Sequence, residues 1–269
     1  MKAQLRITDA ECLAGLPTRQ SVERARDLFL QEGFVWLENL FPRAFVTGLS
    51  EAWFAGHGAL DDDSLSRCGL VVGERRVMVP LPLAAPFDSP RFYAHPILMV
   101  LLNLLLGEEF VLSSASVIVA LAGAPAQRMH RDDALPFGFS EASARVPPIA
   151  ITVAIPFVDL SLKTGSTAIY PGSHQVLRSA DSFCDGQVLP LPQLGDAYLM
   201  DYRLAHGGTP NRSHQRRPVV YLIYCRPWYL DARNHLDQGL PAVIYDPAKL
   251  RQLPTPLAQL LSRARLIWS

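Results

Sequence analysis

Two histidines and an aspartate are the residues of this chain whose types and spacing best suit metal chemistry. His130 and Asp132 lie in the segment QRMHRDD, and His206 lies in LAHGG at the end of a later apolar segment. In an extended segment, residues i and i+2 point to the same face, so His130 and Asp132 could bind one cation from one side. Two imidazoles and one carboxylate on one face form the ligand set of non-heme iron(II) oxygenases, which leaves other positions open for a co-substrate and dioxygen.

A His-x-Asp pair is by itself a weak signal, because the chain contains a second one. This second pair, in His235–Leu236–Asp237, lies beyond the predicted strands, and no histidine follows it. We interpret it as a loop histidine with a nearby acid, either structural or solvated. For His130 taken alone, a hydrogen-bonded interior or surface histidine would be the favoured interpretation, so the metal assignment depends on the residues that accompany it.

One arginine accompanies the three candidate ligands. Arg217 lies eleven residues after His206 and shortly before the apolar segment Val219–Cys225. At the mouth of a β core, a planar guanidinium can bind a carboxylate through two parallel hydrogen bonds, a geometry that lysine cannot match. The alternative is an exposed charge beside Arg212 and Arg216 in a solvated turn.

The elements that must position these side chains fall into two groups, helices first and short strands after. Val22–Gln31 has the apolar periodicity of a helix, which Gly33 ends, and Phe34–Leu40 is rich in the aromatic and branched residues typical of a strand. Proline suits a first helical turn, so Pro42 is predicted to open a second helix through about Phe54. Further helices are predicted from Pro90 to Leu106 and, with a short tail, from Pro247 to Ser269.

From Phe110 onward, short apolar runs rich in branched residues alternate with proline, glycine, aspartate and asparagine. This pattern is typical of a β sandwich or barrel. The predicted strands are Phe110–Leu121, Ile149–Val158, Thr167–Tyr170, Gln187–Leu191, Ala197–Met200 and Val219–Cys225. Helices followed by strands favour an α+β fold with helices packed against a β core. We predict a single domain over residues 1–269.

Two segments are predicted to be loops that contribute to a lid or to substrate contacts. Residues 57–90 hold three consecutive aspartates and several prolines without clear periodicity, as expected for a long loop. Residues 134–148 follow the first His-x-Asp pair directly and contain Phe137, Phe139 and Arg145. Core positions for the two phenylalanines and a surface position for the arginine are the alternatives to substrate contacts.

The composition excludes some partners and locations. Lysine plus arginine number 25, as do aspartate plus glutamate, so no basic excess points to a nucleic-acid partner. The longest apolar run, Pro96–Leu106, is shorter than the roughly 20 residues that a membrane span needs. The N-terminal residues lack the apolar core of a secretory signal, and the four cysteines form no C-x-x-C pair. A reducing, cytoplasmic setting is therefore expected.

Segments along most of the chain resemble, in order, the phytanoyl-CoA dioxygenase-like family of Fe(II)/2-oxoglutarate-dependent oxygenases. Each segment is similar to one part of the family pattern: the opening helix and strand, the H-x-D segment, the segment ending in P-G-S-H, the approach to the distal histidine with its P-N-x-S turn, and the arginine-led closing strand. In this chain they read QEGFVWLENLFP (31–42), QRMHRDD (127–133), KTGSTAIYPGSH (163–174), GDAYLMDYRLAHGGTPNRS (195–213) and RRPVVYLIY (216–224). Thr164 replaces the asparagine that is usual in the third.

The resemblance implies a double-stranded β-helix core, also called a jelly-roll or cupin-like core, with flanking N-terminal helices. It implies that the three candidate ligands, His130, Asp132 and His206, bind Fe(II). It also implies that Arg217 binds the distal carboxylate of 2-oxoglutarate and that Gln127 contacts the same co-substrate.

Other residues near these segments have smaller implied roles. The histidine of the P-G-S-H segment, His174, is no ligand in the family pattern and is expected to shape a loop beside the site. Asp201 and Asn211 flank the distal histidine and could orient its ring, as residues hydrogen-bonded to metal ligands do. The alternative for both is that each caps a turn.

The implied activity is that of a dioxygenase that hydroxylates a C–H bond of a small organic metabolite, using dioxygen and releasing succinate and carbon dioxide. Related halogenases replace the metal carboxylate with a small residue, so Asp132 favours hydroxylation or a related oxidation. Two alternatives stay open: a cupin-type metal enzyme that does not use 2-oxoglutarate, and a non-catalytic binding protein on the same fold. Arg217 and the P-G-S-H segment argue against the first, and the intact triad argues against the second.

Overall fold

A large, mostly antiparallel sheet forms the β part of the fold. The computed structural model describes residues 3–183, 185–231 and 242–266. Eight strands follow the order β1-β2-β9-β7-β11-β5-β4-β3, and only the β1–β2 pair is parallel. Two small sheets, antiparallel β8–β10 and parallel β12–β13, complete the strand pairing among the described residues. The strands are β1 (Gln4–Arg6), β2 (Phe34–Glu38), β3 (Leu70–Gly73), β4 (Arg76–Pro80), β5 (Val111–Ala120), β6 (Pro136–Phe139), β7 (Ala150–Pro156), β8 (Thr167–Ile169), β9 (Ala197–Asp201), β10 (His206–Gly208), β11 (Arg217–Cys225), β12 (Ile244–Tyr245) and β13 (Arg265–Leu266).

Helices precede most of these strands, as predicted for an α+β fold. The helices are α1 (Asp9–Ala14), α2 (Arg19–Glu32), α3 (Arg43–His57), α4 (Asp62–Arg67), α5 (Pro90–Tyr93), α6 (Pro96–Leu106), α7 (Glu141–Arg145), α8 (Pro247–Leu250) and α9 (Thr255–Leu260). None of the helices in the described ranges is long and apolar enough to cross a membrane.

The predicted N-terminal elements are present, and local chemistry sets their ends. The Thr18 side chain accepts a hydrogen bond from the backbone of Ser21 at the start of α2, and Gly33 ends the helix with a left-handed φ of 78°. The helix predicted over Pro90–Leu106 is interrupted, because a residue before proline avoids the helical region. His95 is therefore non-helical, and Pro96 opens α6 as its first residue.

Most predicted strands are confirmed within a few residues, but one is not. Instead of a strand over Gln187–Leu191, the structure has an isolated bridge between Val188 and Ile169. The C-terminal prediction is also only partly right, because α8 and α9 are short helices separated by a turn, and residues 267–269 lie outside the described ranges.

The long loop predicted for residues 57–90 is wrong, because this segment contains α4, β3 and β4. The sequence RVMVP of β4 is a short apolar run led by a charged residue and ended by proline, so it has no visible periodicity. It is nevertheless fully paired with β5, and its Val77 and Val79 side chains are buried in the main core. Pairing with a neighbouring strand thus determines the structure here more than local sequence does.

The two faces of the large sheet have different roles. One face packs against the helices, since Val117, Val153 and Leu222 share a core with Phe29 of α2 and Trp53 of α3. Successive residues of a strand point to opposite faces. The alternate residues of the same strands therefore point away from the helices, towards the side on which β8 and β10 lie and on which the cavity described below opens.

One buried histidine makes stability depend on pH. His95 is 5% exposed and packs edge-on against Phe41, with ring centroids 4.8 Å apart. Burial, with a smaller contribution from Arg91, lowers the pKa of His95 from 6.5 to about 4. The folded state binds a proton on His95 less readily than the unfolded state does. The neutral imidazole therefore contributes fully to the free energy of unfolding above pH 6.5, and this contribution is lost as pH falls through about 4.

We expect the substitution His95→Gln to remove this pH-dependent component. In the wild-type chain, the free energy of unfolding should fall by up to about 3 kcal/mol from this group between pH 7 and pH 4. Urea unfolding across that range should give a shallower decline for the variant than for the wild type. The substitution His214→Gln, at an exposed position, should keep the wild-type slope, and identical slopes for His95→Gln and wild type would contradict the prediction.

Candidate metal centre

The structure brings the three predicted ligands together. One ligand atom from each of His130, Asp132 and His206 lies within 4.8 Å of the others, close enough to hold a single metal ion. Nε2 of His206 and Oδ1 of Asp132 are 3.4 Å apart, and the rings of the two histidines have centroids 4.5 Å apart. The other His-x-Asp pair, at residues 235–237, lies outside the described residues.

A direct backbone pair positions the two histidines. The N–H of His130 donates to the carbonyl of His206, and the N–H of His206 donates back, both at 2.9 Å. Directly opposite residues of an antiparallel pair point to the same side, so both imidazoles face one point. His130 makes an isolated bridge rather than part of a longer strand, and His130 and Asp132 still contribute ligand atoms to one cluster, as their spacing predicts.

Both imidazoles are oriented by backbone carbonyls. Nδ1 of His130 lies 3.0 Å from the carbonyl of Arg128, and Nδ1 of His206 lies 2.9 Å from the carbonyl of Leu204. A carbonyl can only accept, so each Nδ1 carries the proton and each Nε2 keeps a lone pair for a metal. Each imidazole thus contacts the backbone carbonyl of the residue two positions earlier in the chain. This contact gives both rings the tautomer that a metal requires.

The lowered pKa values of Asp132 and His130 suit a metal, whereas a metal must displace the proton that His206 holds more readily beside Asp132. Burial opposes ionisation of Asp132, but the neighbouring His206 brings the net pKa of this carboxyl below its usual value. Burial, followed by the effect of His206, lowers the pKa of His130. Burial would lower the pKa of His206 too, but Asp132 raises it overall. The hydroxyl of Thr152 donates to Oδ2 of Asp132 at 3.2 Å, which helps to hold the carboxylate in place.

The residues considered as orienting partners of His206 cap turns and bridge strands instead. Asp201 forms a buried ion pair with Arg203 at 2.7 Å. Asn211 donates to the carbonyls of Ala120, Leu121 and Gln215 and contacts no ring. Each also accepts the backbone N–H two residues further on, that of Arg203 at 2.9 Å for Asp201 and that of Ser213 at 3.1 Å for Asn211. The turn-capping alternative is therefore confirmed for both, and Nδ1 of His206 is oriented by the Leu204 carbonyl instead. Sequence analysis missed the actual partner because it is a backbone carbonyl.

A cavity of about 270 Å³ opens beside the ligands. One face of the large sheet forms the floor of the cavity. On this face Met78 lies opposite Ile118, Ser116 opposite Tyr221, and Thr152 opposite Ile223. Residues that lie opposite each other share a face, so these side chains form adjoining rows. The apolar part of the lining is Leu70, Val72, Met78, Ile118 and Ile223, and the uncharged polar part is Ser116, Gln127, Thr152, Thr167, Tyr202 and Tyr221.

Two buried arginines lie at one end of this floor. Arg217 is 6% exposed, so its interpretation as a surface charge is wrong. It lies opposite Ala120 of β5, and Arg76 of β4 lies opposite the same alanine from the other side. The small methyl group of Ala120 leaves room above it for both guanidiniums. Arg76 is only 1% exposed and was missed by sequence analysis, because it lies in the segment that was predicted to be a loop.

The guanidiniums are held by carbonyls rather than by acids. Nη1 of Arg217 donates to Thr164 at 3.1 Å and to Thr209 at 3.2 Å, and Arg76 donates to Pro125 and to the same Thr209 carbonyl. Across residues 3–183, 185–231 and 242–266, no carboxylate forms an ion pair with either, and Nε of Arg76 is buried without a hydrogen-bond partner. Burial, and then the charge of Arg217, lowers the pKa of Arg76 to about 10, so it stays cationic at neutral pH.

Gln127 and Gly208 form a cradle next to these arginines. The N–H of Gln127 donates to the carbonyl of Gly208 at 2.8 Å, and the N–H of Gly208 donates to Oε1 of Gln127 at 3.0 Å. A Cβ added to Gly208 would lie 2.6 Å from Oε1 of Gln127, 3.3 Å from Nε of Arg76 and 3.4 Å from Nη2 of Arg217. Only a residue without a side chain leaves this space open.

The segment that follows the His-x-Asp pair is on the surface. Phe137 and Phe139 of β6 are 60% and 65% exposed, so a core position is wrong for both. Arg145 forms an exposed i,i+4 ion pair with Glu141, which confirms its surface position. His174 is buried, its Nε2 lies 3.2 Å from the carbonyl of Leu30, and it takes no part in the ligand cluster.

The comparison with known families agrees with this geometry. Residues 87–219 match the family model described as Phytanoyl-CoA dioxygenase (PhyH). The match covers 133 of the 269 residues and is consistent with a phytanoyl-CoA dioxygenase-like family. The matched segment of this family includes the three candidate ligands and Arg217, but not Arg76.

Several curated dioxygenases are similar to the chain. Dioxygenase trt7 of Aspergillus terreus is 28% identical over 161 residues, which cover 59% of this chain and 53% of the relative. Dioxygenase aneA of Aspergillus aculeatus is 25% identical over 201 residues, covering 71% and 64%. Dioxygenase olcK of Penicillium canescens is 24% identical over 258 residues, covering 91% and 83%. The chain thus aligns with between about half and two thirds of the length of the first two.

Solved structures share the fold at low identity. The epimerase SnoN from nogalamycin biosynthesis, a non-heme α-ketoglutarate-dependent enzyme, has a TM-score of 0.59 at 20% identity, covering 78% of this chain and 84% of SnoN. HygX from Streptomyces hygroscopicus, solved with nickel and 2-oxoglutarate bound, has a TM-score of 0.59 at 17% identity, covering 83% of this chain and 94% of HygX. At these identities the likeness establishes a common fold.

We expect the substitution His130→Ala to weaken metal binding by more than about 100-fold, because it removes a ligand and even residues that only orient ligands contribute 10–100-fold. Anaerobic titration with Co(II) or Fe(II), followed by calorimetry, measures this effect. The control is His235→Ala, which changes the other His-x-Asp histidine and should bind metal like the wild type. Equal affinity of the His130→Ala variant and the wild type would contradict the site.

Proposed function

We propose that the protein is an Fe(II)- and 2-oxoglutarate-dependent dioxygenase that hydroxylates a C–H bond of a small organic metabolite, with release of succinate and carbon dioxide. The observation that carries the proposal is a two-histidine, one-carboxylate cluster on the cavity together with two buried guanidiniums that have no acidic partner among the described residues. The guanidiniums lie beside Gly208, which lines the same cavity.

The donor set fits iron. His130 and His206 each direct a lone pair on Nε2 to the same point, and Asp132 supplies a carboxylate with a lowered pKa. Deprotonated carboxylates and neutral imidazoles are the forms that bind a divalent metal. When bound, Fe(II) supplies the open positions at which a 2-oxo acid and dioxygen react. The three side chains would hold the ion, and all three also line the cavity.

The arginine end of the cavity fits the distal carboxylate of 2-oxoglutarate. A buried cation without a counter-charge is costly, and an anionic ligand would remove much of this cost. Arg217 still has its Nη2 and Nε groups to offer, because the carbonyls of Thr164 and Thr209 contact only Nη1. We assign Arg217 as the main carboxylate contact, Arg76 as a second cation that strengthens the local positive potential, and Gln127 as the residue that lines the space between them.

The apolar lining positions the metabolite and excludes water. Leu70, Val72 and Met78 bring β3 and β4 to the cavity wall, which supports a substrate-binding role for part of residues 57–90. Residues 134–148 follow the ligands directly, and we propose them as the second contributor. Because the apolar wall and the ligands line one cavity, a bound C–H bond can be held beside the metal rather than in solvent.

The architecture and the setting complete the proposal. The eight-stranded sheet and the β8–β10 sheet support a double-stranded β-helix with the ligand His206 on its smaller sheet. We propose one domain over residues 1–269, flanked by the N-terminal helices, in a cytoplasmic protein that binds a small molecule and no nucleic acid. A metal enzyme that does not use 2-oxoglutarate would leave the two arginines, which have no acidic partner among the described residues, without a role. A non-catalytic binding protein would have no need of the intact triad.

Replacement of Arg217 by methionine should abolish most co-substrate binding. Arg217→Met keeps an unbranched side chain but removes the guanidinium, so we expect 2-oxoglutarate affinity to fall by about 10- to 100-fold, the effect of losing a buried charge-assisted pair. Calorimetry on the Co(II)-loaded protein measures it, and iron-dependent succinate formation should fall in parallel. Arg212→Met, an exposed neighbour, is the control. A wild-type protein that forms no succinate from 2-oxoglutarate with any candidate metabolite, and does not bind it, would refute the proposed function.

Filling the cradle should have a different effect from removing a ligand. In Gly208→Ala the added methyl group would lie 2.6 Å from the flexible end of Gln127 and within 3.4 Å of both guanidiniums. We expect weaker 2-oxoglutarate binding by about tenfold, or about 1.4 kcal/mol, with Co(II) affinity unchanged. Gly48→Ala, on α3 where an added Cβ meets nothing within 4 Å, is the matched control. Unchanged 2-oxoglutarate affinity in Gly208→Ala would show that the cradle is not part of the binding site.

A further inference from the structure

The residue between two of the candidate ligands makes an unusual set of contacts. Arg131 lies between His130 and Asp132, and its guanidinium donates four hydrogen bonds, all to backbone carbonyls. The acceptors are Arg203 at 2.6 Å, Arg178 at 2.9 Å, and Ser173 and Val176 both at 3.1 Å. In addition, its Cζ lies 5.7 Å from the centre of the Phe183 ring.

These carbonyls belong to two segments, neither of which contains His130 or Asp132. One is the turn that contains Ser173 and Val176, in the P-G-S-H segment. The other is the chain that leads into the distal ligand, because Arg203 is followed by Leu204, whose carbonyl orients the ring of His206. One side chain therefore joins all three segments.

Ser173 closes this arrangement from the other side. Its carbonyl accepts from Arg131, and its hydroxyl accepts the N–H of Ala205 at 2.8 Å. Ser173 is fully buried, so the contact is shielded from water. Arg131 and Ser173 thus brace the two residues on either side of Leu204, the residue whose carbonyl sets the orientation of His206.

The brace matters because regular secondary structure holds these segments only weakly. His130 pairs with His206 as an isolated bridge rather than within a ladder, and β10 has only three residues. A metal site needs its ligands held in place by supporting contacts, since loosely held ligands lose affinity. Four hydrogen bonds from a rigid planar group supply such support.

We propose that Arg131 is a positioning residue that sets the geometry and affinity of the metal site by bracing His130 and Asp132 against the segment that carries His206. This inference rests on the proposed metal site but adds a role that the ligand set does not include. A lysine at this position would keep the charge, but its single ammonium group cannot reach four carbonyls on separate segments.

The test compares Arg131→Lys with a matched control that loses the same kind of contact elsewhere. Arg226 also binds two backbone carbonyls, those of Pro148 at 2.8 Å and Leu105 at 3.3 Å, and it is no part of the ligand cluster. For the full chain, anaerobic Co(II) titration by calorimetry gives the affinity, the visible absorption of bound Co(II) gives the ligand geometry, and thermal unfolding gives the loss of stability.

We expect Arg131→Lys to weaken Co(II) binding by about tenfold or more and to change the Co(II) absorption spectrum. Arg226→Lys should lower the melting temperature without either change. Ser173→Ala removes only the hydroxyl contact to Ala205 and should alter the Co(II) spectrum in the same direction. This variant replaces Arg131→Lys in the test if Arg131→Lys does not fold.

Three outcomes would overturn the inference, and they are distinguishable. Wild-type affinity and spectrum in Arg131→Lys would show that the brace does not act on the metal. Equal loss of Co(II) affinity in Arg131→Lys and Arg226→Lys would show a general effect of stability. Failure of the wild-type protein to bind Co(II) would instead refute the metal site itself, and this inference with it.

Discussion

Two hydrogen bonds, one in each direction, join the backbones of His130 and His206 with N···O distances of 2.9 Å. Directly opposite residues of an antiparallel pair share a side, so this contact brings two imidazoles together before any metal binds. A slip of one residue in either segment would turn its histidine to the opposite face. The carbonyls that orient each Nδ1, and Thr152 beside Asp132, act only once this register is in place. The rest of the site therefore depends on one short bridge between two irregular segments.

The charged side chains of the site form two groups, one near each end of β11. Asp132 contacts Thr152, which lies opposite Ile223 near the end of β11. The two arginines are at the other end of that strand: Arg217 is its first residue, and Arg217 and Arg76 flank Ala120 at the end of β5. A cation held by the ligands at one end and two guanidiniums at the other suit a linear dianion. The burial that lowers the pKa of Arg76 to about 10 also reduces screening by water, so a correctly placed carboxylate would be bound strongly.

Residue types, spacing and the family resemblance together predicted three side chains that the structure brings into one cluster, and an arginine, Arg217, that the structure buries. Short-range patterns also located α2 and most strands of the core. They could not locate Arg76, since a strand whose first residue is a buried charge has no apolar alternation and is stabilised by its neighbour β5. Contacts made by backbone carbonyls, such as that of Leu204 with His206, leave no mark in the sequence at all.

The fold alone does not determine which reaction the site catalyses, whereas the side chains that line the cavity restrict it. The structural neighbour SnoN is an epimerase, while the sequence relatives are dioxygenases, so the lining of the cavity rather than the fold determines the outcome. The proposed reaction requires a metal ion held by His130, Asp132 and His206. The most direct measurement is an anomalous difference map from crystals of the protein loaded with Co(II). We expect one strong peak within bonding distance of Nε2 of both histidines and a carboxylate oxygen of Asp132. A peak at residues 235–237, or an ion that contacts only one of these three side chains, would contradict it.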